Sequence, residues 1–133
     1  MSNYKFDADA HYAKTHEWVR IEGDLAVIGI SDAAQDMLSD VVYVELPEEG
    51  ESVEAGKKAA VVESVKAAEE VISPVSGVVV EVNGDLMDQP ELVNSDPYSA
   101  WFYKVQVTES LKAQFKTLMD SDAYDAFVDQ AEH

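Results

Sequence analysis

The most informative part of the sequence is Val61-Val62-Glu63-Ser64-Val65-Lys66-Ala67-Ala68-Glu69-Glu70-Val71-Ile72-Ser73-Pro74-Val75-Ser76-Gly77. Two β-prone apolar runs flank a single lysine, and each run is short enough to form one strand. Pro74 and Gly77 then end the second run, and another strand-like run follows over residues 78–82. This order predicts a β-hairpin with Lys66 at its tip, where a modifying enzyme can reach the side-chain amine.

Short strands separated by turn signals continue on both sides of the hairpin. Residues 17–22 alternate apolar and polar side chains, and Gly23-Asp24 is a typical turn into a strand over residues 25–30. A short helix is predicted over residues 32–38, with Ser31 as its N-cap. We predict further strands over residues 41–46, 52–53 and 101–107, and a loop with one helical turn over residues 83–99.

The C-terminal part has a helical period in place of the strand period. Apolar residues recur at helical spacing in two sets, which predicts two helices with core-facing stripes. The sets are Leu111, Phe115, Leu118, Met119 and then Tyr124, Phe127, Val128, Ala131, the second capped by Ser121 or Asp122. The predicted fold class is mainly β, a flattened β-barrel or sandwich with a short internal helix and C-terminal helices. We expect a single domain over residues 1–133, with a barrel core at about 25–107 and a helical segment at about 109–131.

Composition excludes several classes of function. With 27 acidic residues against 9 basic ones, the net charge is −18, which disfavours binding to nucleic acid and favours docking onto basic protein surfaces. There is no cysteine, so any sulfur chemistry requires a cofactor, and the three scattered histidines do not have metal-ligand spacing. Apolar runs are too short to span a membrane, and the N-terminus resembles neither a signal peptide nor a transit peptide. We therefore expect a cytoplasmic protein, and as a separate expectation we take it to be a monomer.

The hairpin sequence resembles the attachment site of lipoyl carrier domains, with a glutamate three residues before the lysine and a glycine eleven residues after it. The sequence Glu-Ser-Val-Lys-Ala around this lysine is similar to that of the H proteins of the glycine cleavage system. Other stretches carry the same resemblance: Thr15-His16-Glu17-Trp18, Gly29-Ile30-Ser31, Ala34-Gln35, residues 41–47, residues 91–94 and Asp96-Pro97-Tyr98. Ser39 and Ala100 depart from it, because that family usually has glycine at both positions.

The resemblance implies the lipoyl/biotinyl hammerhead type of barrel and a carrier that is not itself an enzyme. It implies covalent attachment of lipoic acid to Lys66, with recognition of the attachment motif through Glu63, Ser64, Val65, Ala67 and Gly77. The implied partners are glycine decarboxylase, a tetrahydrofolate-dependent aminomethyltransferase, dihydrolipoyl dehydrogenase, and a lipoate ligase or octanoyl/lipoyl transferase. The carrier would move the aminomethyl group of glycine between the first two.

The resemblance also implies a cleft that shelters the loaded arm, lined by Thr15, Glu17 and Glu70. In the alternative interpretation these glutamates are ordinary solvated acids, and a hydrolase using Glu63 and Glu69 as acid and base is disfavoured. A second carrier function stays open, in which an H-like lipoyl-relay protein donates its lipoyl group to other acceptors or serves another redox pathway.

Overall fold

The computed structural model of the chain describes residues 4–108 and 111–131. Its strands form two antiparallel sheets, which confirms the mainly β fold class. Nine strands are present in the described residues: β1 Ala10–Tyr12, β2 Glu17–Glu22, β3 Leu25–Ile30, β4 Val41–Glu45, β5 Ser52–Val53, β6 Lys58–Ser64, β7 Ala68–Ile72, β8 Gly77–Val82 and β9 Tyr103–Val107. One sheet has six strands in the order β1-β2-β3-β9-β8-β5, and the other has three in the order β4-β6-β7. In this part of the chain the sheets stay separate and do not close into a continuous barrel.

The helices are short except for the last one. They are α1 Asp32–Leu38, α2 Asp85–Asp88, α3 Leu92–Ser95, α4 Leu111–Gln114 and α5 Ser121–Ala131, with a 3-10 turn over Phe115–Thr117. Ser31 caps α1 as predicted, because its hydroxyl accepts a 3.1 Å hydrogen bond from the Ala34 amide. None of the helices in the described ranges has the length and apolar character needed to cross a membrane.

Two apolar clusters hold the elements together. The larger cluster contains strand residues from both sheets, including Ile28, Val62, Val71 and Val105, all fully or almost fully buried. The smaller cluster forms around α5 and the hairpin of β1 and β2, and contains Tyr12, Trp18, Val27, Tyr124 and Val128 among others. Burial of these large side chains supplies the main driving force for seating the C-terminal helix on the six-stranded sheet.

The C-terminal segment differs from its prediction. The first helical stripe was predicted to run through Leu118 and Met119, but the helix stops after the 3-10 turn and Leu118 is extended. Met119 instead pairs with Tyr12 through backbone hydrogen bonds of 2.7 and 2.8 Å. Met119 therefore extends along β1 and does not continue the helix, although the apolar spacing favours one. β1 is too short to be recognised in the sequence. The cap of α5 is also one residue earlier than predicted, since Asp120 Oδ1 accepts a 2.8 Å bond from the Ala123 amide.

Two further predictions need correction. Residues 83–99 contain two helical turns, α2 and α3, where one was predicted. The last strand begins at Tyr103 and not at Trp101, although the Phe102 amide already donates a 2.7 Å hydrogen bond to the Ile28 carbonyl of β3.

Ser39 adopts the backbone conformation that glycine would accommodate without strain. Its φ is 67° and its ψ is −154°, a region that side chains with a Cβ rarely enter. The Asn94 side chain holds this turn, because its Nδ2 donates a 2.8 Å bond to the Ser39 carbonyl. Ala100, the other departure from the usual glycines, does not share a positive φ.

Candidate functional site

Lys66 lies at the tip of the hairpin between β6 and β7, as predicted. Ser64 holds the tip through both its backbone and its hydroxyl group. Its amide donates to the Ala67 carbonyl at 2.8 Å, and its Oγ accepts bonds from the amides of Lys66 at 3.1 Å and Ala67 at 3.2 Å. The hydroxyl also donates to the Ala67 carbonyl at 3.1 Å. A small hydroxyl side chain at this position therefore fixes the turn that presents the lysine.

The hairpin tip is hydrogen-bonded to the C-terminal end of α1 and to the residue that follows its cap. The Val65 amide donates to the Asp40 carbonyl at 3.0 Å, and Lys66 Nζ donates to the Met37 carbonyl at 3.3 Å. A cation is favourable there, because the last carbonyls of a helix carry partial negative charge. Lys66 is nevertheless exposed, so its amine remains accessible.

The other predicted motif residues fall into two groups. Glu63, Val65 and Ala67 are exposed on the hairpin around Lys66. Gly77 lies in the other sheet, at the start of β8, where it pairs with Val107. A Cβ on Gly77 would overlap the Gln106 carbonyl oxygen, so close approach of the two strands accounts for this glycine.

Glu17 is a buried acid at the first position of β2, with 2% of its surface exposed. Its Oε2 accepts a 2.9 Å bond from the Ile72 amide of β7, and its Oε1 accepts a bond from the Thr15 hydroxyl. Burial raises the pKa of this carboxyl to about 7, although both hydrogen bonds act to lower it. The side chain thus joins the two sheets and carries a carboxyl group that titrates near neutral pH.

A cavity of about 250 Å³ lies between Glu17 and the hairpin. It brings together the three predicted cleft residues, Thr15, Glu17 and Glu70. Its remaining lining is apolar apart from two residues and consists of His16, Ile30, Ala34, Met37, Leu38, Val62, Glu69 and Val71. Since Met37 also accepts the hydrogen bond from Lys66, the amine sits at the margin of this cavity.

The two glutamates on β7 differ in orientation. Glu69 pairs with the buried Val62, whereas Glu70 pairs with the half-exposed Val61. Residues paired across strands share a face, so Glu69 lies on the cavity face of the sheet, whereas Glu70 starts from the other face and borders the cavity at its edge. Sequence reasoning did not place Glu69 in the cleft, and the strand period of residues 68–72 is the signal that could have done so.

His16 is a second cavity residue that was missed. Its Nδ1 lies 2.6 Å from the Tyr124 hydroxyl of α5, which lies 2.7 Å from the Ser31 hydroxyl. Since Ser31 Oγ accepts the Ala34 amide, every hydroxyl is satisfied when Ser31 donates to Tyr124 and Tyr124 donates to His16. His16 then carries its proton on Nε2, consistent with burial, which lowers its pKa.

Comparisons with known proteins show the family to which the chain belongs. The family model described as glycine cleavage H-protein matches residues 10–131. The chain belongs to this family. An H protein of the glycine cleavage system from Alcanivorax borkumensis is 50% identical over 123 residues, which cover 92% of this chain and 94% of that protein.

Similarity extends to other H proteins and to a solved structure. The mitochondrial H protein 2 of Arabidopsis thaliana is 53% identical over 123 residues, covering 92% of this chain and 78% of the relative. An Acinetobacter baumannii H protein is 59% identical over 100 residues, covering 74% of this chain and 81% of that protein. The crystal structure of the H protein from Mycobacterium marinum superposes with a TM-score of 0.82 at 38% identity, covering 91% of this chain and 97% of that one. The fold described above is therefore an H-protein fold.

Proposed function

We propose that this chain is the lipoyl carrier of the glycine cleavage system, with the lipoyl group attached to Lys66. The observation that carries the proposal is the position of Lys66, exposed at a rigid hairpin tip and bonded to Met37 at the margin of a partly apolar cavity. An arm extending from Nζ would begin where the cavity opens. The residues present therefore fit a long, mostly apolar acyl chain with a polar cargo at its end.

Attachment needs an activated acyl group, which a lipoate ligase or an octanoyl/lipoyl transferase would supply. The Lys66 amine, after losing a proton, attacks the acyl carbon. An amide C–N bond forms, the bond to the leaving group breaks, and the positive charge of Lys66 is lost. The Ser64 hydrogen bonds keep the amine projecting from the turn during this step. Preorganisation of this kind reduces the entropy that the attaching enzyme must overcome.

A bound lipoyl group would supply a dithiolane, whose disulfide could accept the aminomethyl group of glycine on one sulfur as CO₂ leaves, and whose dithiol form would be reoxidised after the aminomethyl group has been released. This role requires three partner enzymes: glycine decarboxylase, the tetrahydrofolate-dependent aminomethyltransferase and dihydrolipoyl dehydrogenase. The carrier itself performs no catalysis. Covalent tethering raises the effective concentration of the cargo at each partner site, so that it does not need to diffuse freely.

Glu17 is suited to receive the positively charged cargo. Each of its carboxylate oxygens already accepts one hydrogen bond and has a further acceptor site. An ammonium group entering the cavity would lower the pKa of Glu17 from about 7 and hold the carboxylate in its charged form. The pair would be sheltered from water, where charge-assisted hydrogen bonds are strongest. Thr15 orients the carboxyl group, and Glu69 and Glu70 add negative potential at the opening.

Reconstitution of the pathway tests this function. The lipoylated chain should accept the aminomethyl group from glycine in the presence of glycine decarboxylase and release it with the aminomethyltransferase and tetrahydrofolate. A lipoylated chain that is inert toward both enzymes but transfers its lipoyl group to other acceptor proteins would favour the relay function instead.

A further inference from the structure

Apolar side chains surround Lys66 on the protein surface. Seven large hydrophobic side chains are exposed in the described part of the chain, and four of them are Met37, Val42, Tyr43 and Val65. Their exposed fractions are 50, 53, 42 and 66% respectively. Exposed apolar residues that occur singly need no explanation, but a group of them around a functional residue indicates a contact surface. We name these four side chains the Lys66 patch.

Three structural features bring the patch together. Val65 and Lys66 are hydrogen-bonded to Asp40 and Met37, which joins the hairpin tip to the end of α1. In β4 the register shifts between Val41, paired with Ser64, and Tyr43, paired with Glu63. Val42 is therefore the extra residue of a β-bulge, and both Val42 and Tyr43 face solvent. Bulges redirect side chains in this way, and here the bulge adds two apolar side chains beside the lysine.

Apart from Lys66, the charged residues in the two segments that carry the patch, residues 32–45 and 59–70, are all acids. The exposed acids beside the patch are Asp36, Asp40, Glu45, Glu63, Glu69 and Glu70. Lys66 is the single cation in residues 59–103, and there is none in residues 21–56. The surface is thus an apolar centre with an acidic rim. Its complement is a protein face with an apolar centre and a rim of lysine and arginine.

We infer that the Lys66 patch is the docking surface for the enzyme that acylates Lys66. This enzyme contacts the end of α1 and the β4 bulge in addition to the hairpin. The inference rests on the proposed function, in which Lys66 is the acceptor. The attaching enzyme is the partner that meets the chain in its unmodified form. In that form the lysine lies against Met37, so an enzyme that reaches Nζ must contact α1 as well as the hairpin.

The chain contains a matched control for the bulge residue. Val80 is also a valine at a register shift, between Val79 and Glu81 in β8, and is 42% exposed. It lies in the six-stranded sheet, whereas Val42 lies in the three-stranded sheet beside Lys66. Val42→Ser and Val80→Ser therefore remove the same apolar group from comparable bulge positions. Neither side chain is buried, so both variants should fold.

The experiment measures acylation of the full, unlipoylated chain by a purified lipoate–protein ligase with ATP and lipoate. We expect the Val42→Ser/Tyr43→Ser double variant to raise KM about tenfold with little change in kcat, and Val80→Ser to change KM by less than about twofold. Met37→Gln, which keeps a good helix former on α1, should raise KM several-fold. Raising the salt concentration should increase KM for the wild type, because the acidic rim is then screened.

The outcomes separate the inference from the proposed function. Acylation of the double variant at the same KM as Val80→Ser would overturn the docking surface while leaving Lys66 as the acceptor. Normal acylation of the double variant combined with a raised KM toward glycine decarboxylase would assign the patch to that enzyme and overturn the inference as well. Failure of the wild-type chain to be acylated at Lys66 would instead overturn the proposed function, and the docking surface with it.

Discussion

The Tyr124 hydroxyl lies 2.6 Å from His16 Nδ1, although the two residues are 108 positions apart in the chain. This contact joins the C-terminal helix to the turn that precedes Glu17. His16 has a positive φ of 80°, so the turn is held in a conformation that few side chains adopt. The hydrogen bond therefore stabilises a strained wall of the cavity.

Tyr124→Phe should destabilise the fold by about 1–3 kcal/mol, because it leaves the buried hydroxyl of Ser31 and the ring nitrogen of His16 without their partner. Urea unfolding of the two proteins measures this difference. Tyr43→Phe, which removes the hydroxyl of an exposed tyrosine, should have little effect. Equal losses in the two variants would contradict a special role for the Tyr124 hydroxyl.

The stability of the protein should depend on pH through Glu17. The native carboxyl has a pKa of about 7 against 4.5 ordinarily, so the native state binds its proton more tightly than the unfolded state does. The free energy of unfolding should therefore fall as the pH rises from about 4.5 to about 7, by up to about 3 kcal/mol. Glu17→Gln keeps the side-chain shape but does not titrate, so it should lack this contribution.

The difference between wild type and Glu17→Gln is the quantity to measure, by urea unfolding at several pH values in this range. Both proteins retain His16, whose lowered pKa acts in the opposite direction, with stability falling as the pH drops. Taking the difference largely cancels that contribution. Parallel curves for the two proteins would mean that Glu17 titrates like an ordinary surface acid.

The proposed pairing of Glu17 with the cargo predicts a second phenotype for the same variant. Glu17→Gln should leave lipoylation intact, because this carboxyl group contacts the far end of β7 at Ile72 and not the hairpin tip that carries Lys66. Protein loaded with the aminomethyl group should lose a charge-assisted hydrogen bond and decompose about tenfold faster or more. The half-life is measured without the folate-dependent enzyme, with Glu54→Gln, in an exposed turn, as the control. Matching half-lives for all three proteins would make the carrier a passive tether.

Ser39→Gly should stabilise the protein by about 1 kcal/mol. The φ of 67° strains serine but not glycine, and the greater freedom of glycine in the unfolded chain offsets part of the gain. The two hydrogen bonds of Ser39 use its backbone groups, so they remain in the variant. Thermal unfolding measures the effect, and a lower melting temperature for Ser39→Gly would argue against strain at this position.

Local sequence patterns predicted the elements that depend on local physics. The lysine hairpin, the Ser31 cap and the strands from Glu17 to Ile30 follow from period, turn residues and capping, and the structure confirms them. The pairing of Met119 with Tyr12 could not be predicted, because it depends on a tertiary contact that replaces the local helical preference. The contact between His16 and Tyr124 in the cavity wall could not be predicted either, because it too is a tertiary contact.

The residues of the candidate site also differ in whether the local sequence predicts them. The position of Lys66 at the hairpin tip could be predicted because it depends on one contiguous stretch of sequence. The hydrogen bond between Tyr124 and His16 has no local signature, since its two halves are separated by almost the whole chain. The position of Glu17 in a cleft was expected only through family resemblance, and its burial was not predicted, because a single acid among 27 carries no sign of its environment in the sequence.

Peptide mapping of the chain after incubation with lipoate–protein ligase, lipoate and ATP tests whether Lys66 is the attachment site. Attachment at Lys66 predicts a single lipoyl group on Lys66 and none on the other seven lysines, and it predicts no modification of Lys66→Arg, which keeps the charge but offers no amine for acylation. Lipoylation of Lys57 or Lys58 in place of Lys66, or persistent lipoylation of the Lys66→Arg variant, would contradict it.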